Sequence, residues 1–244
     1  MKAVILAGGA GTRLRHVIPD LPKPMAPVAG RPFLEYLIAH LAAGGLKDIV
    51  LSVGYRAEQI QSHFQNAWGG ARISYAIEPE PLGTGGAIAL AVRDAPGDEP
   101  VMVVNGDTFI GMDMADLVAW SKRALRQTSM AMVLCRVEDV ARYGAVDHKD
   151  GVVTGFAEKG PAGPGLINGG CYLLRPALFK TYRLSGRFSF EADLLRPEIA
   201  RLRPAAYLAS GFFIDIGVPE DYARAQLEIP ANAAAIKAMP WAPP

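Results

Sequence analysis

The sequence predicts an α/β protein with a mainly parallel sheet and helices on both faces. Two observations lead there. Through about residue 125, short apolar runs alternate with longer segments whose apolar residues recur at helical spacing. The first of those runs also passes straight into a glycine-rich loop, Gly8-Gly9-Ala10-Gly11. The chain has 244 residues, of which 50% are hydrophobic, enough for one substantial core.

Lys2–Leu6 is apolar up to its glycines and reads as a buried strand. Arg31–Ala43 reads as a helix, with Pro32 near its start and Gly44-Gly45 at its end. Asp48–Val53 is a second strand and Ala57–Phe64 a second helix. Arg72–Ile77 alternates as a third strand, and Gly86–Val92 is a helix leaving a glycine-rich turn. Val101–Val104 is a fourth buried strand, followed by a helix over Asp113–Leu125.

The pattern then changes. Ser129–Arg136, Tyr143–Asp147, Val152–Glu158 and Leu166–Leu174 are strand-like, with turn chemistry at Lys149-Asp150-Gly151. Phe190–Leu202 reads as a helix that Pro197 ends or kinks. Ala205–Leu208 and Phe212–Ile216 are short strands, and Pro219–Glu228 is a final helix. The expected division is one domain over 1–228 and an Ala- and Pro-rich tail over 229–244. No internal repeat is visible.

The formal net charge of +1 argues against a general polyanion binder, so no nucleic-acid partner is expected. No apolar stretch approaches the roughly 18 residues of a membrane span. The N-terminal apolar run is too short for a secretory leader. Cys135 and Cys171 sit in apolar surroundings and read as buried thiols rather than a disulfide or metal site. A cytoplasmic setting fits these features. The oligomeric state is left open.

The segment Leu6-Ala7-Gly8-Gly9-Ala10-Gly11-Thr12-Arg13-Leu14 has glycines that expose backbone N–H groups, and an arginine whose fork suits phosphate. It is not a P-loop, because no Gly-Lys-Ser/Thr follows. It is not the dinucleotide fingerprint, because Leu14 stands where a third small residue is needed. Alone, it reads equally as a tight turn with an exposed arginine. Lys23 lies between Pro22 and Pro24, which suggests a stiff, extended backbone; alone it reads as a solvated loop lysine. Asp107 follows a buried strand at the sheet edge where open α/β folds bind ligands. Asp215 stands in an apolar strand, where a carboxylate is costly unless paired or metal-bound. Strand-end caps would explain either aspartate singly.

Together, the GGxGTRL pattern at Gly8–Leu14, KPMxPVxG at Lys23–Gly30 and PxxEY at Pro32–Tyr36 resemble the sugar-phosphate nucleotidyltransferase (NDP-sugar pyrophosphorylase) family. The resemblance runs through about Gln226. It implies a Rossmann-like three-layer fold with a mainly parallel central mixed sheet flanked by helices. It also implies transfer of NMP from an NTP to a sugar 1-phosphate, with release of pyrophosphate.

On that resemblance, Leu6, Ala7, Gly8, Gly9, Gly11, Thr12 and Arg13 meet the nucleotide, and Arg13 stabilises the leaving pyrophosphate. Lys23 neutralises charge near the α-phosphorus. Asp107 and Asp215 match the family's metal pair and would hold Mg²⁺. Glu78, Gly83 and Thr84 fall in its base-recognition segment. Asn105, Tyr143, Gly144, Glu158, Lys159, Asn168 and Gly169 fall at sugar-phosphate positions, with Lys159 on the phosphate. A carboxylate at position 78 accepts hydrogen bonds only, which suits guanine N1–H and N2–H₂ and faces adenine N1 badly. Uracil and thymine also offer one N–H, so the base is not decided by this alone. Segments such as LSVGYRAEQI, GLINGGCYLL, FSFEADLL and FIDIGVPEDYARAQ look most similar to the subgroup that joins GTP to a heptose 1-phosphate for bacterial surface polysaccharides. Mannose 1-phosphate guanylyltransferases and uridylyltransferases are the neighbouring alternatives. A catalytically silent nucleotide-sugar sensor is disfavoured, because Arg13, Lys23, Asp107 and Asp215 are all present.

Overall fold

The first strand, β1 (Ala3–Leu6), divides its side chains between two cores: Ala3 and Ile5 enter one, Val4 the other. A strand buried on both faces requires cover on both. The computed structural model describes residues 1–9, 11, 14, 17–95, 98–157 and 162–235, with the backbone alone at 233–235.

After β1 come a short antiparallel pair, β2 (Pro27–Val28) and β3 (Arg31–Pro32), then α1 (Phe33–Ala43), β4 (Asp48–Val53), α2 (Ala57–Phe64), β5 (Ala67–Trp68) and β6 (Ala71–Ile77). There follow α3 (Gly83–Val92), β7 (Val101–Asn105), β8 (Thr108–Ile110) and α4 (Met114–Ala124). The second half holds β9 (Met130–Val137), β10 (Val146–Lys149), β11 (Val152–Phe156), β12 (Gly165–Leu174) and α5 (Ala177–Thr181). A π-helical turn, Phe190–Leu195, runs into α6 (Arg196–Leu202), and β13 (Ala205–Ala209), β14 (Phe213–Asp215) and α7 (Pro219–Ala235) complete the chain.

Among the described residues, one ten-stranded sheet has the order β10-β11-β13-β9-β12-β7-β1-β4-β6-β5. The block β7-β1-β4-β6 is parallel. Beyond it the sheet is mixed: β12 is antiparallel to β7 and β9, and β13 is parallel to β9. Helices α1, α2, α4 and α7 cover one face through residues such as Leu37, Ile60, Leu117 and Ile229. The other face is covered by α3, α5, the π-turn and α6, through Ile88, Leu178, Phe190 and Leu202. The result is the expected three-layer, Rossmann-like architecture. No helix among the described residues is long and apolar enough to cross a membrane.

The second half departs from the sequence expectation in several places. Tyr143 does not start a strand: Tyr143 N–H and Gly144 N–H both donate to the Val140 carbonyl, at 3.0 and 2.8 Å, closing a turn. The strand begins only at Val146. Pro197 does not break the 190–202 segment, because it falls in the first turn of α6, where its missing N–H costs little. The last helix continues past Glu228 to Ala235 with Pro230 inside it, and the Asn232 amide donates to the Glu228 carbonyl at 2.8 Å. Residues 229–235 are therefore helical rather than tail.

Candidate active site

Strands β1 and β7 run side by side with Leu6 opposite Asn105, so the loops that follow them emerge together at one sheet edge. Gly106 N–H donates to the Leu6 carbonyl at 3.0 Å, and a Cβ on Gly106 would stand 2.4 Å from that oxygen. Glycine alone permits so close an approach. Asp107 comes next. Strand β14 pairs with β8, setting Asp215 opposite Thr108, and Ile216 N–H donates to the Asp107 carbonyl at 2.9 Å. Two aspartates far apart in sequence thereby meet.

Lys23 enters the same point from a tight 3₁₀ turn, Lys23–Met25. Only Pro22 keeps the extended backbone that the flanking prolines suggested, because Met25 N–H folds back to the Pro22 carbonyl at 2.8 Å. Lys23 is 8% exposed. Its Nζ lies 2.5 Å from Asp107 Oδ2 and 3.7 Å from Asp215 Oδ1. Burial pushes the Asp215 carboxyl above its ordinary value, and the Asp107 charge adds to the rise. Lys23, the Gly217 N–H and Arg142 act in the opposite direction.

A cavity of about 680 Å³ opens beside this cluster, a size typical of small-molecule sites. Leu6, Gly8, Gly9, Gly11, Gly83 and Thr84 line it, together with Lys23, Asp107 and Glu78. Gly11 has φ of +57°, and a Cβ there would stand 2.7 Å from Lys23 Cβ. Glu78 is held as an acceptor. Leu82 N–H donates to its Oε2 at 3.1 Å, and the Ser52 hydroxyl lies 3.5 Å from Oε1. Tyr55 and Glu80 line this cavity too, without having been singled out from sequence. Ala7 is buried behind the loop, donating to the Ser52 carbonyl at 2.7 Å.

A second cavity of about 420 Å³ shares Leu6, Thr84 and Asn105 with the first and opens onto Asp215, Tyr143 and Asn168. A register slip in the β12–β9 pairing between Asn168 and Tyr172 shapes this wall. Asn168 is held at both ends: its Oδ1 accepts from Gly170 N–H at 3.0 Å and keeps a second lone pair, and its Nδ2 donates to Tyr172 Oη at 2.7 Å and Glu191 Oε2 at 3.2 Å. The Arg196 fork grips the other oxygen of Glu191 at 3.1 and 2.9 Å.

The two cavities bring together Leu6, Gly8, Gly9, Gly11, Lys23, Glu78, Gly83, Thr84, Asn105, Asp107, Tyr143, Asn168 and Asp215. Gly169 stays apart: a Cβ there would meet Cys135 Sγ at 2.8 Å and Ile110 Cδ1 at 3.0 Å, so it packs into the core while Gly170 faces the cavity. Gly144 completes the turn after Tyr143 and lines neither cavity. Thr12, Arg13, Glu158 and Lys159 lie outside the described residues. Glu191 and Tyr172 were missed as site residues. The one available signal was a charged residue directly after Phe188-Ser189-Phe190.

Comparisons with known proteins identify the family. A family model described as nucleotidyl transferase matches residues 2–232. The D-glycero-α-D-manno-heptose 1-phosphate guanylyltransferase of Aneurinibacillus thermoaerophilus is 41% identical, over 94% of this chain and 98% of its own length. That of Campylobacter jejuni is 42% identical, over 91% and 97%. The mannose-1-phosphate guanylyltransferase of Mycobacterium tuberculosis is 34% identical, over 93% of this chain and 64% of that protein. The crystal structure of HddC from Yersinia pseudotuberculosis complexed with GMP-PN superposes with a TM-score of 0.80 at 38% identity, covering 92% of this chain and 97% of that one. The family match starts in the segment that bears β1 and ends within α7, enclosing both cavities, and the chain belongs to the nucleotidyl transferase family.

Proposed function

We propose that this chain transfers GMP from GTP to D-glycero-α-D-manno-heptose 1-phosphate, forming GDP-heptose and pyrophosphate. The observation that carries this reading is a pair of cavities that share Leu6, Thr84 and Asn105, one lined by Lys23 and Asp107 and the other by Asp215, three residues that meet in one charged cluster. The full-length similarity to two heptose guanylyltransferases supports the choice of sugar.

In this reading GTP occupies the larger cavity and the sugar 1-phosphate the smaller. A phosphate oxygen of the sugar attacks the α-phosphorus of GTP. The new P–O bond forms as the bond to the β-phosphate oxygen breaks, and pyrophosphate leaves with that electron pair. The attacking oxygen is already ionised near neutral pH, so no side-chain nucleophile or strong base is needed. Positioning two anions together and neutralising their charge supplies most of the rate. Lys23 is placed for that task. Arg13 takes the leaving pyrophosphate, and Lys159 the sugar phosphate.

The aspartates fit a magnesium ion. They present hard oxygen donors around Lys23, and the Asp215 carboxyl is raised first by burial and then by the Asp107 charge. Asp107 and Asp215 would hold the ion, which when bound neutralises phosphate charge.

Glu78 reads guanine, because each of its oxygens keeps a lone pair beyond its bond to Leu82 N–H or Ser52. Uracil sets carbonyls on either side of its single N–H, so one would face a carboxylate oxygen. A good two-point base contact discriminates by about 1–3 kcal/mol in the related setting of DNA readout. Asn168, Tyr172 and Glu191 face the sugar hydroxyls. The reaction belongs in the cytoplasm, where GTP is available, and its product serves bacterial surface polysaccharides.

The test is pyrophosphate release with Mg²⁺, each of four NTPs and a panel of sugar 1-phosphates. GTP with the heptose 1-phosphate is the expected best pair. A preference for mannose 1-phosphate would replace the sugar assignment, and a preference for UTP would overturn the role of Glu78.

A further inference from the structure

We infer that Arg142 is a positioning residue for the sugar side of the site, aimed by Asp221 of helix α7. This rests on the proposal that the sugar 1-phosphate occupies the smaller cavity, which Tyr143 and Asp215 line. Tyr143, Phe213 and Asp215 all line the smaller cavity, and Arg142, outside that lining, contacts Tyr143 and Asp215. Its Nη2 donates to Tyr143 Oη at 2.6 Å and lies 3.5 Å from Asp215 Oδ2. Its guanidinium carbon is 4.5 Å from the centroid of the Tyr143 ring. That ring packs edge-on against Phe213 at 5.6 Å. The other oxygen of Asp215 accepts from Gly217 N–H at 2.7 Å, so Arg142 fixes the end that Gly217 leaves.

Arg142 is itself held. Its Nη1 forms an ion pair with Asp221 Oδ2. Asp221 is 6% exposed, and its second oxygen is taken by Arg224 Nη1 at 2.8 Å. A buried carboxylate between two guanidinium groups is a fixed anchor. The same helix holds the lysine-bearing segment. Tyr222 Oη and Gln226 Nε2 donate to the Pro27 carbonyl at 2.6 and 3.0 Å, and Ala29 N–H donates to Gln226 Oε1 at 3.0 Å. Helix α7 thus ties the segment after Lys23 to the sugar wall while lining neither cavity.

The test compares Arg142→Met, Arg142→Lys, Asp221→Asn and the double variant Arg142→Met/Asp221→Asn. Every assay uses the sugar 1-phosphate that the wild type turns over, so a wrong sugar assignment shows in the wild type and not in the ratios. Arg142→Met is expected to lower kcat/KM for the sugar 1-phosphate about tenfold or more while KM for GTP stays within about threefold. Arg142→Lys recovers part of the loss, because it keeps the charge without the fork. Asp221→Asn has the same but weaker signature, and it costs less than about twofold more once Arg142 is gone, since the anchor acts only through the arm. If Arg142→Met does not fold, Tyr143→Phe removes the same hydroxyl contact and should raise KM for the sugar alone. Unchanged sugar kinetics, equal losses for both substrates, or additive losses in the double variant would overturn the inference.

Discussion

The two halves of the site are built differently. On the nucleotide side, Gly8, Gly9 and Gly11 directly follow β1, and Gly106-Asp107 directly follow β7, two adjacent parallel strands. Local sequence and one strand pairing place these groups. On the sugar side, the wall depends on a register slip in β12, on the β8–β14 pairing, and on chains of side chains such as Asn168–Glu191–Arg196 and Tyr143–Arg142–Asp221. Backbone shape makes the proposed phosphate site, and side-chain networks make the proposed sugar site. Substitutions should therefore separate the two by which substrate's kinetics they disturb.

The largest effect should be shared, because it falls where the halves meet. Lys23→Ala is expected to lower kcat by about 10²–10³ with the fold intact, in line with the loss of one preorganised charge-stabilising group. Near-normal turnover would remove Lys23 from the chemistry. Glu78→Gln swaps one acceptor for a donor and should cut the GTP-over-UTP preference by about tenfold or more, leaving KM for the sugar unchanged. Glu191→Gln should do the reverse. Its sugar KM is expected to rise about tenfold, with GTP kinetics preserved, since its carboxylate organises Asn168. If both variants disturbed both substrates equally, the division into two differently built halves would fail.

A smaller effect lies beneath the site. His40 is buried against Phe109, and burial lowers its pKa to about 4. The unfolded chain takes up a proton near pH 6.5, whereas the folded one resists it until about pH 4. Stability is then full above pH 6.5 and falls as the pH drops toward 4, by at most about 3 kcal/mol. Chemical denaturation of His40→Leu between pH 7 and 4 should show a shallower loss than the wild type. Equal slopes would mean that another group governs the acid sensitivity.

The same contrast explains what was legible in the sequence. Helix α2 over Ala57–Phe64 and strand β4 over Asp48–Val53 follow directly from periodicity, because parallel strands buried on both faces are apolar throughout. The glycine loop, Lys23 and Asp107 each have an ordinary reading alone, and they become legible as site residues only through the joined motifs that resemble the family. β8, at three residues, is too short to register as a pattern, yet its pairing with β14 is what brings Asp215 to Asp107. Gly169 and Gly170 are indistinguishable as letters. Only the bulge turns one into the core and the other toward the cavity. Glu191 reads as an ordinary helical charge until the π-turn carries it beside Asn168. Arg142 carries no local signal in the sequence, because its partners Asp215 and Asp221 lie far along the chain on β14 and α7.

The central claim is that the two cavities divide the substrates and meet at the Lys23–Asp107–Asp215 cluster. A crystal structure of the protein with GDP-heptose tests it most directly. The account predicts guanine against Glu78, the heptose against Asn168 and Glu191, and the diphosphate bridging beside Lys23. A base lodged in the smaller cavity, or a diphosphate remote from Lys23, would contradict it.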